Sequence, residues 1–358
     1  MKNTKTSSLL RLVAFLLITV VLIGVVGVIS EGIEKEPNGD IQNNTDNNIP
    51  SPPATDIPAV NIQYENYLSG LLCSKEESDT IPLCYMMHTS GALYGIKDAE
   101  LTIEFPVENG QSRLLVYTSK TSHLGKIGSV ASARMYLASI LSTFGGILVH
   151  NSVDDTILYT DTRIENSIDI SKSNVYSYTE GHGLIYTNAS LITNALEDLK
   201  FTTQQITKPS LPFVFDNNYE SIVRGQYPCR NIHIPMHANN NLSLIYDITT
   251  REYMIEQNGT LRMDSHTGEY VSYKNAFILF SNTTTYERAE TTELVFEVEE
   301  GGTGYYFTEG AMEKIIWETD GDGHLVFKNL SGEKLTVNRG TTYISFYKTT
   351  QKKTITIY

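Results

Sequence analysis

Glu100-Leu101-Thr102-Ile103-Glu104-Phe105, then Glu108-Asn109-Gly110, then Arg113-Leu114-Leu115-Val116-Tyr117-Thr118 is the stretch from which the fold is read. Both flanks are short apolar-rich runs of strand character, and Asn-Gly accepts the positive φ of a tight turn at low cost, so the stretch predicts two strands joined by a hairpin. Similar runs at 83–87, 146–150 and 156–160 surround it, with helical periodicity over 131–144 and 188–199. A mixed α/β lobe over residues 61–208 is expected. Beyond Pro209 the pattern turns to short alternating runs at 242–247, 252–256, 276–281, 293–298, 314–318, 325–328 and 342–347. Asn258-Gly259, Asp322-Gly323 and Ser331-Gly332 supply turn chemistry between them. That predicts a β-rich antiparallel lobe over 209–358 and places the chain in the α+β class.

Upstream, Leu12 to Ile29 carries no charge and is long enough to cross about 30 Å of hydrocarbon as a helix. Lys2, Lys5 and Arg11 precede it while Glu31, Glu34 and Glu36 follow, which leaves the amino terminus in the cytoplasm and the body outside. The expected organisation is a basic cytoplasmic tail (1–11), a transmembrane signal anchor (12–30) and a polar, Asn- and Pro-rich tether (31–60) that holds the body near the membrane surface. A cleavable signal peptide is the rival reading. The apolar run exceeds the usual signal core and no A-x-A-like site follows it. No cysteine near its end offers a lipid attachment point.

Residues 1–30 hold three of the 27 basic and none of the 41 acidic side chains, so the remainder carries 24 against 41, a net of −17. An electrostatic grip on nucleic acid is not expected of such a body. Cys73, Cys84 and Cys229 are too few for a disulfide framework; Cys73 and Cys84 could close one short loop, or all three could be idle thiols.

The run from Ile127 to Arg134 leads into the helical pattern with serines placed to cap it, a start that together with Arg134 could receive an anion. Glu104 and Glu108, near the first turn, are candidate acid and base. His233-x-x-x-His237 has helical metal spacing but encloses Pro235 and lacks a partner acid, and Asp320-Gly-Asp322-Gly323 opens like a calcium loop but has Ser331 at the twelfth position. No common hydrolase or nucleotide signature occurs, and no cofactor or metal is expected.

Taken in order, these patches resemble the YerB-like family of envelope lipoproteins, a group without a defined function. Ala99 to Glu104 with Val107 to Arg113 is similar to the family's A-D-I-V-Y-E and V-E-G-G-x-T-R, and Ile127 to Arg134 to its I-G-P-V-R-S-A-R. Ile147 to His150, His182 with Tyr186-Thr187, then Tyr246-Asp247, Tyr253, Gly259, Asp264, Thr267-Gly268, Asn275, Gly302 to Gly304, Trp317 and Gly340 to Phe346 follow in the family's order. Departures are Ala131 for the first arginine of the R-S-A-R block, a replaced stretch at Ala92 to Tyr94, Gly181-His182-Gly183 for P-H-N, Arg262 for a histidine, and the missing lipobox cysteine. The resemblance implies an α/β lobe followed by a β-rich lobe and no established reaction.

The sequence therefore predicts an extracytoplasmic, membrane-held binding or scaffold module. Its cleft would comprise Glu104, Arg113, Ser132, Arg134, His150 and His182 and receive an anionic wall polymer or an envelope protein. The enzymatic alternative is a wall-glycopolymer hydrolase or transferase using Glu104 or Glu108 with Arg134. A purely structural bridge would have no cleft.

Overall fold

The computed structural model describes residues 63–121, 124–153, 166–201, 206–287 and 292–358, all within one unit, Asn61–Tyr358. The expected anchor (12–30), the tether (31–60) and the strand expected at 156–160 lie outside the described residues. Among those residues no helix is long and apolar enough to cross a membrane.

The chain is predominantly β, with few helices and mostly antiparallel pairing. Its first half supplies β1 (Leu83–His88), β2 (Leu101–Pro106), β3 (Ser112–Thr118), α1 (Leu137–Phe144), β4 (Ile147–His150) and α2 (Ala189–Asp198). The second half supplies β5 (Asn231–His237), β6 (Asn240–Asp247), β7 (Glu252–Gln257), β8 (Asn275–Ser281), β9 (Gly302–Thr308), β10 (Ala311–Thr319), β11 (Leu325–Asn329) and β12 (Thr342–Lys348). The expected first hairpin is present: Asn109 and Gly110 take φ of 59° and 73° between β2 and β3, and Asn258 and Gly259 make the same kind of turn after β7.

One large mixed sheet runs in the order β10, β9, β8, β12, β2, β3, β1, β4, so strands from either side of residue 208 share its ladder. The seam is β12, parallel to β8 on one side and to β2 on the other. Its run Tyr343, Ile344, Phe346, Tyr347 is buried on both faces, the near-continuous apolar pattern of a strand covered on both sides. A smaller sheet of β5, β6 and β7 lies over one face. Its clean alternation of buried and exposed positions lets Ile232, Ile234, Leu242, Leu244, Tyr253 and Ile255 meet the large sheet while the alternate residues face solvent. The opposite face is covered by α1 and by the strand pair Thr283–Glu287 and Thr292–Phe296.

One expectation changes. The helix predicted from Ala131 begins at Leu137, because Ala131 N–H donates to the Met86 carbonyl and Ala133 N–H to that of Ser152, which ties 129–133 across the ends of β1 and β4. Its N–H groups are spent on the sheet, and no serine side chain caps α1. His233 and His237 lie on strand β5 instead of a helix, with a bulge between Pro235 and His237 accommodating the proline. The three cysteines are separate thiols, and Asp320 to Gly323 belongs to the turn between β10 and β11.

Candidate functional site

Alternation along β2 sends Ile103 and Phe105 to the α1 face and Glu104 to the small-sheet face. Glu104 is fully buried there and receives a bidentate fork from Arg262, Nη1 to Oε2 at 2.5 Å and Nη2 to Oε1 at 2.8 Å. Ser112 and Tyr343 hydroxyls donate to the same carboxylate at 2.5 and 2.6 Å. Burial opposes the charged form of Glu104, but the Arg262 charge and fork with the two hydroxyls outweigh it and hold the carboxyl below its usual range. Desolvation likewise pulls Arg262 down, and Glu104 reverses it, so the guanidinium pKa lies above its ordinary value. Glu104 has no lone pair at liberty for proton abstraction from a substrate; it is the anchor of an arginine.

Arg262 continues outward. Its Nη2 donates to Gln257 Oε1 at 3.3 Å, and Gln257 Nε2 donates to Asn240 Oδ1 at 3.0 Å. These residues reach a cavity of about 460 Å³ between the small sheet and the loop after β1, lined also by Thr89, Gln111 and Ser265, within the range of about 300–1,000 Å³ typical of small-ligand sites. Asn240 is 3% exposed and Arg262 6%. Asn240 Nδ2 and Arg262 Nε are buried donors with no hydrogen-bond partner, unusual because buried polar atoms are nearly always satisfied. The rim is set by Asp264, whose carboxylate accepts the N–H groups of Gly95, Ile96 and Lys97 on one oxygen and of His266 and Thr267 on the other. One side chain thus fixes the 93–97 loop to the 263–268 turn.

The other residues singled out in the sequence lie elsewhere. Arg113 and Arg134 are on the α1 side of the large sheet, opposite to Glu104. Arg113 Nη1 donates to the carbonyl and hydroxyl oxygens of Ser132 at 2.7 and 3.0 Å. Arg134 forks onto Glu108 at 3.0 and 2.8 Å, and Glu108 also accepts the Leu294 N–H at 2.6 Å. Arg134 therefore braces a carboxylate of its own chain. His150 is buried, its Nδ1 donating to the Ser152 carbonyl at 2.6 Å. His182 sits on the exposed turn between Tyr178–Glu180 and Leu184–Asn188. The structure thus groups Arg113 with Ser132 and Arg134 with Glu108, and sets Glu104 and His182 apart from them.

His88, which the sequence reading did not single out, pairs with Arg113 across the β1–β3 ladder. Burial, then the Arg113 and Arg134 charges, push its imidazole down to about 4. The unfolded chain takes up this proton first, near pH 6.5. Stability from a neutral His88 is thus complete above that pH and is lost as pH falls towards about 4. After a discount for partial exposure, the expected loss is on the order of 2 kcal/mol. Urea unfolding of wild type and His88→Gln at several pH values checks this: the difference between the two should shrink or reverse on acidification, and parallel pH profiles would remove the assignment.

Asn240, Gln257 and Arg262 were missed as a group because they lie on separate strands and edges. The one signal was Arg262, a departure from the family pattern, together with the turn Asn258-Gly259 beside it.

Residues 68–202 match the model described as the protein of unknown function (DUF3048) N-terminal domain, and 232–344 that of the DUF3048 C-terminal domain. No curated protein matches the sequence. The chain is similar in fold to the crystal structure of YerB protein from Bacillus subtilis, at 19% identity and a TM-score of 0.70, over 83% of this chain and 100% of that one. The two domain matches, in order and over most of the described body, agree with the motif order found in the sequence: the chain belongs to the YerB-like family built from the DUF3048 N- and C-terminal domains.

Proposed function

We propose that the protein is a non-catalytic binding module, held outside the cell membrane by residues 12–30, whose ligand enters the cavity between the small sheet and the loop after β1. The observation that carries this reading is the cavity's chemistry. Amides and hydroxyls line it, two buried donors face no partner, and among the described lining residues there is no carboxylate, imidazole, thiol or amine. Such a lining recognises; it has no group that exchanges a proton near neutral pH. The enzymatic alternative needs a free acid or base, and both candidate carboxylates are engaged by arginines, Glu104 by Arg262 and Glu108 by Arg134.

The test uses full-length protein in detergent with solubilised envelope extract. Extract is expected to raise the thermal midpoint of wild type. It should leave unchanged Asn239→Trp, a substitution at an exposed rim position that fills the mouth without entering the core. Fragments released from wall polymer by wild type, and not by a folded Glu108→Gln protein, would replace this reading with the enzymatic one.

A further inference from the structure

Resting on that reading, we infer that the cavity takes an uncharged saccharide, of the kind bearing hydroxyl and acetamido groups, instead of an anionic polymer. Charge is the first reason. Among the described lining residues the one formal charge is Arg262, and its fork is already spent on the fully buried Glu104. An incoming phosphate or carboxylate would be desolvated beside a neutral pair, with a carboxylate just behind it and a body of net −17 around it. An uncharged oxygen meets no such cost.

Hydrogen-bond chemistry is the second reason. Thr89, Ser90 and Thr260 line the cavity with hydroxyls, and Asn240 and Arg262 behind them are closed to solvent at Nδ2 and Nε. Gln111, Asn239 and Asn258 around them each both donate and accept, the match for hydroxyls, which do the same. Shape supplies the third. Leu93, Leu261 and Met263 give the same cavity an apolar strip, which suits the C–H face of a pyranose or an acetyl methyl. The lining is also fixed from behind by the network Glu104 to Arg262 to Gln257 to Asn240, so little ordering is left to be done on binding.

Isothermal titration of the full-length protein in detergent, with the β-1,4-linked tetramer of N-acetylglucosamine and with poly(glycerol phosphate) as probes, decides the matter. Gln111→Leu removes an amide from an exposed position of the lining; Asn239→Trp blocks the mouth. The tetramer is expected to bind wild type, about ten-fold more weakly to Gln111→Leu and undetectably to Asn239→Trp, with little dependence on salt. Tetramer binding that neither variant alters overturns the inference. Poly(glycerol phosphate) binding that salt and Asn239→Trp both abolish also overturns it, while leaving the cavity as the binding site. If neither probe binds, the saccharide class fails; continued protection of wild type by envelope extract would then preserve the broader reading, and its absence would end that as well.

Discussion

Replacing Arg262 by Met is expected to lower the stability of the protein at pH 7 by about 3–5 kcal/mol and to invert the pH dependence that Glu104 contributes. The fork from Arg262 is what permits a charged Glu104 at a fully buried position; take the guanidinium away and two hydroxyl donors remain to solvate a carboxylate in the core. In wild type the Glu104 pKa lies below its ordinary value of 4.5. Its contribution is therefore present above that pH and lost as pH falls through the depressed folded value. In Arg262→Met, burial, the largest influence on Glu104, acts without its counterweight and raises the folded pKa above the unfolded one. The Glu104 contribution is then greatest below about pH 4.5 and declines as pH rises through the raised value. Because His88 titrates in both proteins, the sign is read from the difference between variant and wild type in urea unfolding at pH 4.5 and 7. A destabilisation no larger at pH 7 than at pH 4.5 would show that Glu104 is charged without Arg262. Glu104→Gln should cost less, because it leaves a cation that can move towards the cavity instead of an anion that cannot move.

Much of the sheet was legible in the sequence because its strands announce themselves locally. The β2–β3 hairpin carries its Asn-Gly turn with both φ positive, and the seven second-half runs each became strands within a few residues of the expected ends. What stayed hidden is long-range. Nothing near Thr342 to Lys348 says that this strand will lie between β2 and β8, yet that pairing draws both halves into one sheet. Strand β9, which holds Gly302 and Gly304, was not among the expected runs. Their lack of a side chain is what the neighbour demands, since a Cβ at Gly302 would come within 2.2 Å of the Phe280 carbonyl oxygen. At Ala131 to Arg134 the local signal was misleading, because the helical periodicity expected from Ala131 lost there to backbone pairing with the ends of β1 and β4. The cavity suffers from the same blindness: Glu104 was singled out, but its partner lies 158 residues further on.

Phe105, the next residue on β2, carries the other large expected effect. It is fully buried on the face opposite to Glu104 and packs on Phe346 at 4.7 Å between ring centroids, on Tyr136 at 4.6 Å and on Phe296 at 6.1 Å. Those rings come from the seam strand β12, the start of α1 and the covering strand pair, so one side chain joins the large sheet to everything that covers this face. Phe105→Ala is expected to cost about 3–5 kcal/mol, from lost burial and from a cavity that rigid strands cannot close. That is a large part of the 5–15 kcal/mol typical of a folded domain. Because the partners named are aromatic rings, not acids or bases of the range between pH 4.5 and pH 7, the loss should be the same at both pH values, in contrast to Arg262→Met. Chemical unfolding at the two pH values separates them, and a cost below about 1 kcal/mol would mean that the layer closes without this cluster. The consequence for function follows from the pleat: consecutive residues of one strand serve two faces. A folded Phe105→Ala protein should therefore retain the cavity and its ligand affinity while the α1 face loosens.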